Sequence, residues 1–355
     1  MRKFNISKTM RIKHLFLALA MLTCATTANA QSTTGEKVKA FADQYLKLSG
    51  YIQGGFSWDE YSQSTFYLKR ARVSLTGDAA KEKIDYRLQV DMAGSPKICD
   101  LYFRYKPLKE LNFELGQFKV PFALENELCG PTTFEFIEYS YITTYLNRNH
   151  GLYDGIASTG RDIGFQLYGG FIQRDGFSII NYNLGVFNGA GINVKDNNFS
   201  KDFVARLTIK PIEDLSISGS YMYAESAIDQ QKYVKAPRWS VGAWYNSSSW
   251  LARAEYAEAY YKNGGALGTN KVSSFYVLAG YDFDDTFDAP WTFVARYEFI
   301  DDSYNTLAND RTTFGVAYKP FRFLRLQLNL SYESGYQTKT GYRNIGANLM
   351  ATAIF

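Results

Sequence analysis

Four arginines carry the first chemical signal in the chain. Arg70, Arg72, Arg87 and Arg104 each sit on the polar side of a run in which polar and apolar residues alternate. Guanidinium groups gathered on one wall replace the water that an anion sheds, through charge-assisted and often bidentate hydrogen bonds. The same polar sides carry Asp85, Asp91, Asp100 and Glu114, so neutralisation by neighbouring carboxylates is an equally physical reading, and both stay open. An insert over residues 123–161 then adds Glu125, Glu127, Glu135, Glu138 and Asp154 against Arg148 and Arg161. An acidic segment facing an arginine row would set up a transverse field across any gap between them.

Hydrolytic and metal chemistry find little to work with. The two histidines are His14, near the N-terminus, and His150, between Asn149 and Gly151 in a polar stretch without a marked orienting partner. A serine hydrolase or phospholipase would need His150 as its base. Spacing of His and Cys shows no metal-ligating cluster, and no cofactor is expected. The glycines of Leu184–Gly191 and Asn263-Gly264-Gly265 precede no helix, so a phosphate-cradling loop is excluded. Tyr139, Tyr141, Tyr145 and Tyr153 could form a track for sugar rings or simply pack the insert against a wall.

Positioning these groups falls to β-structure. Ile84, Tyr86, Leu88, Val90 and Met92 share one face of a run, and Asp85, Arg87, Gln89 and Asp91 the other. Cys99, Leu101, Phe103 and Tyr105 oppose Asp100, Tyr102, Arg104 and Lys106 in the same way. A period of two is the signature of a strand with one oily and one wet side. Near the C-terminus Leu324, Leu326, Leu328, Leu330 and Tyr332 oppose Arg325, Gln327, Asn329, Ser331 and Glu333, and Trp291, Phe293, Ala295, Tyr297 and Phe299 oppose Arg296 and Glu298. The pattern predicts a strand near 47–58, three more up to Lys106, a fifth over 111–122, and then 162–173, 177–188, 199–210 and 215–226. Further strands fall near 237–246, 250–261, 272–283, 290–300, 311–319, 324–334 and 342–355, sixteen in all.

Brief links such as Pro107–Glu110, Asp175-Gly176, Pro211–Asp214 and Asn246–Ser249 alternate with longer ones at 196–200, 226–236, 263–270 and 301–310. Short turns sorted to one end and long loops to the other point to a barrel that spans an outer membrane. Tyr105-Lys106-Pro107-Leu108, Ile209-Lys210-Pro211-Ile212 and Tyr318-Lys319-Pro320-Phe321 each close a strand at an expected short turn, where proline ends the ladder without losing a paired amide.

Composition agrees. In 355 residues there are 28 Tyr, 26 Phe and 28 Gly, a mix that favours strands, tight turns and interfacial ring belts. Mean hydropathy of −0.27 does not oppose a membrane, because a barrel's polar lumen dilutes its lipid face. Arg2, Lys3, Lys8, Arg11 and Lys13 precede the apolar Leu15–Leu22 and an Ala28-Asn29-Ala30 cleavage site, so residues 1–30 read as a secretory signal. Cys24 follows Met21-Leu22-Thr23, a poor approach to a lipidated cysteine. Losing those five cations takes the net charge from +4 to −1, which removes the case for a nucleic-acid partner. Residues 31–46 are expected to form a short periplasmic lead-in and 47–355 the barrel. Cys99 and Cys129 then remain in a compartment that permits a disulfide.

The L-K-R-A-R-V-S-L-T-G stretch from Leu68, the D-Y-R-L-Q-V-D stretch from Asp85 and L-G-Q-F-K-V-P-F from Leu115 resemble the phosphate-selective porin O and P family. The resemblance implies an all-β, 16-stranded antiparallel transmembrane barrel whose long third extracellular loop folds inward, its counterpart being the 39-residue insert 123–161. It also implies a homotrimer in the outer membrane of a Gram-negative bacterium, passing small hydrophilic solutes or inorganic anions such as phosphate. The constriction expected on this basis sets Arg70, Arg72, Arg87 and Arg104, with Asp85 and Asp91, against Glu125, Glu127, Glu135 and Glu138 of the insert. The terminal Phe355 resembles the signal by which such strands are handed to the barrel-assembly machinery. The alternative is a closed barrel with a structural or adhesive role. A gated transporter would need a plug domain and more strands than the chain can supply.

Overall fold

The computed structural model describes residues 46–80, 82–147, 159–196, 199–229, 232–261, 270–303, 307–337 and 340–355. The expected export signal, nearly all of the lead-in, and His14, Cys24, Arg148, His150, Tyr153 and Asp154 lie outside the described residues.

Strands run in chain order as β1 (Lys47–Asp59), β2 (Thr65–Ala79), β3 (Ile84–Asp91), β4 (Lys97–Tyr105), β5 (Asn112–Lys119), β6 (Arg161–Arg174), β7 (Phe177–Phe187), β8 (Asp202–Ile212) and β9 (Leu215–Tyr223). A hairpin, β10 (Glu225–Asp229) and β11 (Lys232–Lys235), precedes β12 (Arg238–Asn246), β13 (Trp250–Tyr261), β14 (Asn270–Asp282) and β15 (Trp291–Asp302). The chain closes with β16 (Leu307–Phe321), β17 (Leu324–Gln337) and β18 (Thr340–Ile354). All but β10 and β11 join one closed antiparallel barrel of sixteen strands, each next to its neighbours in sequence.

Closure pairs β1 with β18, Gly54 opposite Ala351 and Asp59 opposite Gly346. Gly50 and Phe355 exchange both backbone hydrogen bonds, at 2.8 and 2.9 Å. Among the described strands the barrel itself leaves no open edge, which is how ladder amides find partners inside a membrane without water.

Burial is inverted relative to a soluble protein. Leu101, Leu184, Leu207, Phe293, Leu330 and Leu349 on the outward side are exposed, whereas Arg253, Glu255, Arg296, Glu298, Gln327 and Asn329 on the inward side are buried. Around the end that carries the short turns, outward rings pair across strands: Tyr105 with Phe113 at 6.1 Å, Trp250 with Tyr281 at 4.8 Å, Trp291 with Tyr318 at 4.3 Å. Such a girdle sits where acyl chains meet headgroups.

Three local departures from strict alternation have physical causes. Val90 pairs with Ile98 and Gln89 with Asp100, so Cys99 is the extra residue of a bulge. Cys99 therefore turns inward and is buried, not on the oily face with Leu101 as its position suggested. The ladder also shifts between Ile209 and Ile212 and between Tyr318 and Phe321. The Lys-Pro pair there bulges out and pairing resumes, so β8 and β16 end two residues later than proline alone would dictate. The links expected to be long at 226–236 and 301–310 are mostly strand, because β10–β11 and the extended β15 and β16 carry the ladder beyond the membrane band.

Candidate functional site: the lumen and its insert

The insert leaves β5 at Lys119 and rejoins at Arg161, the first residue of β6. It holds a short helix α1 (Leu124–Leu128) and a π-helical turn at Ile142–Asn147. Ala123 adopts the left-handed region (φ 64°) to turn the chain into α1. The Leu124 amide there donates to both carboxylate oxygens of Glu255, at 3.0 and 3.1 Å. Asn126 ties the two ends of the insert together, its amide donating to Val120 O and Gly160 O at 3.0 Å each.

Beyond α1 the insert is held by inward-facing side chains of many strands. Gln53 donates to Pro131 O at 2.9 Å, Arg325 to Thr132 O at 3.2 Å, and Gln327 to Glu135 O at 2.9 Å. Asn329 accepts from the Ile137 amide at 2.7 Å, and Glu298 from the Tyr141 amide at 2.7 Å. Apolar residues complete the contact. Phe122, Phe134, Phe136, Tyr139, Ile142 and Leu146 form one buried cluster with Ala257, Val272, Tyr276 and Leu278 of β13 and β14. Strands with apolar residues on both faces mark where a wall is covered from inside. Val272, Tyr276 and Leu278 against Phe275, Val277 and Ala279 were the legible sign of it in the sequence.

Tyr139, Tyr141 and Tyr145 of the insert pack and hydrogen-bond against their surroundings. Tyr139 stacks on Phe134 at 4.6 Å. Tyr141 lies under Arg311 and donates to Glu333 at 2.7 Å, and Tyr145 donates to Asp302 at 2.7 Å. Burial pushes the Tyr141 phenol above its ordinary range, which keeps it a neutral donor.

Two of the insert's carboxylates, Glu125 and Glu135, point into the wall behind it. Glu125 is fully buried: one oxygen accepts from the Ser140 amide (2.8 Å) and the Thr143 hydroxyl (3.2 Å), and the other lies 3.8 Å from Arg253 and 3.7 Å from Arg296. Glu135 is 3.3 Å from Arg253, Glu127 pairs with Arg206, and Glu138 with Lys69. The charges expected to face the four arginines are thus largely matched by other cations.

The four arginines themselves separate. Arg70 is buried and donates to Gln53 at 2.8 Å, outside the cavity. Arg72, Arg87 and Arg104 line a cavity of about 370 Å³ between the inner side of β1–β6 and the insert's Gly130-Pro131-Thr132. Asp91 is 2.9 Å from Arg72, Asp100 3.4 Å from Arg87, and Glu114 3.1 Å from Arg104. Asp85 pairs instead with Lys106 at 2.9 Å. Three of the four arginines thus lie beside neighbouring carboxylates and Arg70 does not, while the cations of the cavity outnumber its acids. Lys119 and Arg161, which belong to the two ends of the insert, also line the cavity, so five cations meet the carboxylates of Asp100, Glu114 and Glu127. Arg161 is 2.6 Å from Asp100. Lys119 shares the parity of Phe113 and Leu115 within the strand expected over 111–122, so alternation did not assign it to the wet face.

Cys99 and Cys129 are both free thiols and both buried. Among the described residues no group of three or more His, Cys, Asp or Glu could hold a metal ion.

A profile of the family described as phosphate-selective porin O and P matches residues 47–345. The chain belongs to that family. It is an outer-membrane porin of a Gram-negative bacterium, a barrel through which small hydrophilic solutes diffuse passively. Solved porins share the fold. The chain is 13% identical to the anion-selective porin from Comamonas acidovorans, covering 87% of this chain and 99% of that one, with a TM-score of 0.66. The outer membrane channel DcaP of Acinetobacter baumannii is 14% identical over 87% and 97% of the two chains, TM-score 0.64. OmpT of Vibrio cholerae, in a trimer form, is 12% identical over 87% and 99%, TM-score 0.63. No curated protein sequence matches the chain.

Proposed function

We propose that the cavity between β2–β6 and the insert is the narrowest part of the porin's solute path, and that the path favours anions. The observation that carries this is the charge of the lining: Arg72, Arg87, Arg104, Lys119 and Arg161 exceed the carboxylates of Asp100, Glu114 and Glu127. Glu125 and Glu135 are turned toward Arg253 and Arg296, so their field is spent behind the loop, and Glu138 pairs with Lys69. In a narrow, partly dehydrated passage a local excess of cations raises anion concentration and repels cations. Arg87 and Arg104 are the guanidinium groups with most access to the lumen, their side chains 35% and 34% exposed. The porin from Comamonas acidovorans that shares the fold is anion-selective, in keeping with this reading.

The test is the reversal potential in planar bilayers under a potassium chloride gradient. The native protein should reverse on the anion side of zero, and R87E with R104E should move the reversal potential toward the cation limit. A native channel that reverses at the cation limit sinks the anion reading. Exposed Leu48, Ile52, Phe66 and Leu68 on β1 and β2 offer an apolar outer face for a homotrimer. The mass of the detergent-solubilised protein tests that assembly. Recognition of the last strand by the barrel-assembly machinery is tested by deleting Phe355, which should lower the amount of folded protein in the membrane.

A further inference from the structure

We infer that this cavity contains a binding subsite for small organic carboxylates, with Arg87 and Arg104 as two guanidinium forks beside the Tyr102 ring. The inference rests on the porin reading above and names the class of solute the path selects. In the register of β3 and β4, Arg87 stands directly opposite Tyr102, and Arg104 lies two residues along from Tyr102 on the same inward face. The Arg104 guanidinium covers the Tyr102 ring at 4.4 Å, and Phe118 meets that ring edge-on at 6.3 Å. Arg87 approaches Asp100 through Nε at 3.4 Å, and Arg104 approaches Glu114 through Nε at 3.1 Å. Approach through Nε leaves the Arg104 terminal amino groups and one of Arg87's for a solute, the other Arg87 amino group donating to Ser74 Oγ at 3.5 Å, and these groups are the part of guanidinium that grips a carboxylate.

One feature separates this site from one built for inorganic phosphate. The lining includes Tyr51, Tyr102, Phe118 and Pro131, apolar surface from which phosphate gains nothing. A carboxylate with a carbon body recovers part of its dehydration cost by laying that body against the rings. The Tyr51 hydroxyl, buried at the cavity wall, has no hydrogen-bond partner and stands as a further donor.

The experiment adds benzoate or inorganic phosphate to one side of a bilayer holding the full-length porin in potassium chloride at fixed ionic strength and neutral pH. Current interruptions are counted. Benzoate should block at a concentration roughly tenfold below phosphate, a factor equivalent to about 1.4 kcal/mol of ring contact. Y102L, which keeps bulk and removes the ring, should close that gap, while R87Q should weaken block by both anions. R343Q, at the outer rim away from the cavity, should leave block by both at the native level. Phosphate blocking at or below the benzoate concentration overturns the inference, and so does Y102L with the gap intact. A barrel that inserts but passes no potassium chloride current instead fails the porin reading on which this one rests.

Discussion

Asn126 and Gly160 show how a single residue type fixes a loop of this length. Gly160 sits at φ 72°, and a β-carbon there would fall 2.0 Å from the Asn126 side-chain oxygen. Both the backbone conformation and the space therefore demand glycine. G160A should cost about 1–3 kcal/mol and loosen the joint where the insert begins and ends. The readout is the temperature at which the folded band unfolds in a gel-shift assay, which should fall relative to native protein. Cys129 gives a residue-scale prediction in pH. Burial pushes its thiol well above the ordinary range, so the folded state holds the proton where the unfolded state releases it. Stability is then complete below the unfolded thiol value near 9 and declines above it, by up to about 1.4 kcal/mol per pH unit. Chemical denaturation of the native protein and C129A across alkaline pH checks this: the native curve should fall more steeply, and parallel curves would remove the thiol as the cause. Maleimide should label Cys129 only after unfolding.

At the scale of elements, the strands were legible and an inward fold of the insert was expected, but the wall residues that receive its charges were not. Alternation in β3, β15 and β17 shows which side is wet, because each strand obeys a local steric period. The bulge at Cys99 escaped that reading because it depends on how β3 and β4 pair, which no single strand records. The insert's acids were visible as charges, but their partners, Arg206, Arg253 and Arg296, lie 79 to 171 residues further along the chain. Only closure of the barrel decides that these, and not Arg87 or Arg104, receive them. Glu125 is the test of this element. Its removal would leave the buried Arg253 with Glu135 alone and Arg296 with Glu298 alone, a loss on the order of 1–3 kcal/mol, and would release the Ser140 and Thr143 contacts that seat the π-helical turn. E125A should therefore give a larger and noisier single-channel conductance and admit sugars that the native channel excludes in liposome swelling. A native conductance with a lowered unfolding temperature would mean that Glu125 stabilises the insert without setting the passage.

For the whole molecule, the decisive contact joins two segments about 300 residues apart. A barrel has no stable open intermediate in lipid, since an unpaired β1 or β18 exposes a row of amides to hydrocarbon. The sequence discloses this end of the fold through Phe355 and the alternating Ile345, Ala347 and Leu349, whereas the matching requirement on β1 is a glycine that no periodicity singles out. A β-carbon on Gly50 would meet the Phe355 ring at 2.5 Å and the Arg72 carbonyl oxygen at 2.7 Å. The carbonyl belongs to a strand that cannot retreat, so the terminal ring and the seam must shift together. G50V should slow closure and weaken the closed barrel by about 1–3 kcal/mol, the usual cost of overpacking. F355A, which removes the ring from that clash, should restore part of the loss in the double variant beyond the sum of the two single changes. Refolding into detergent micelles, followed by the gel shift of the compact form, measures the seam without any assembly machinery. Strict additivity there would show that Gly50 answers to the Arg72 carbonyl and not to the terminal ring.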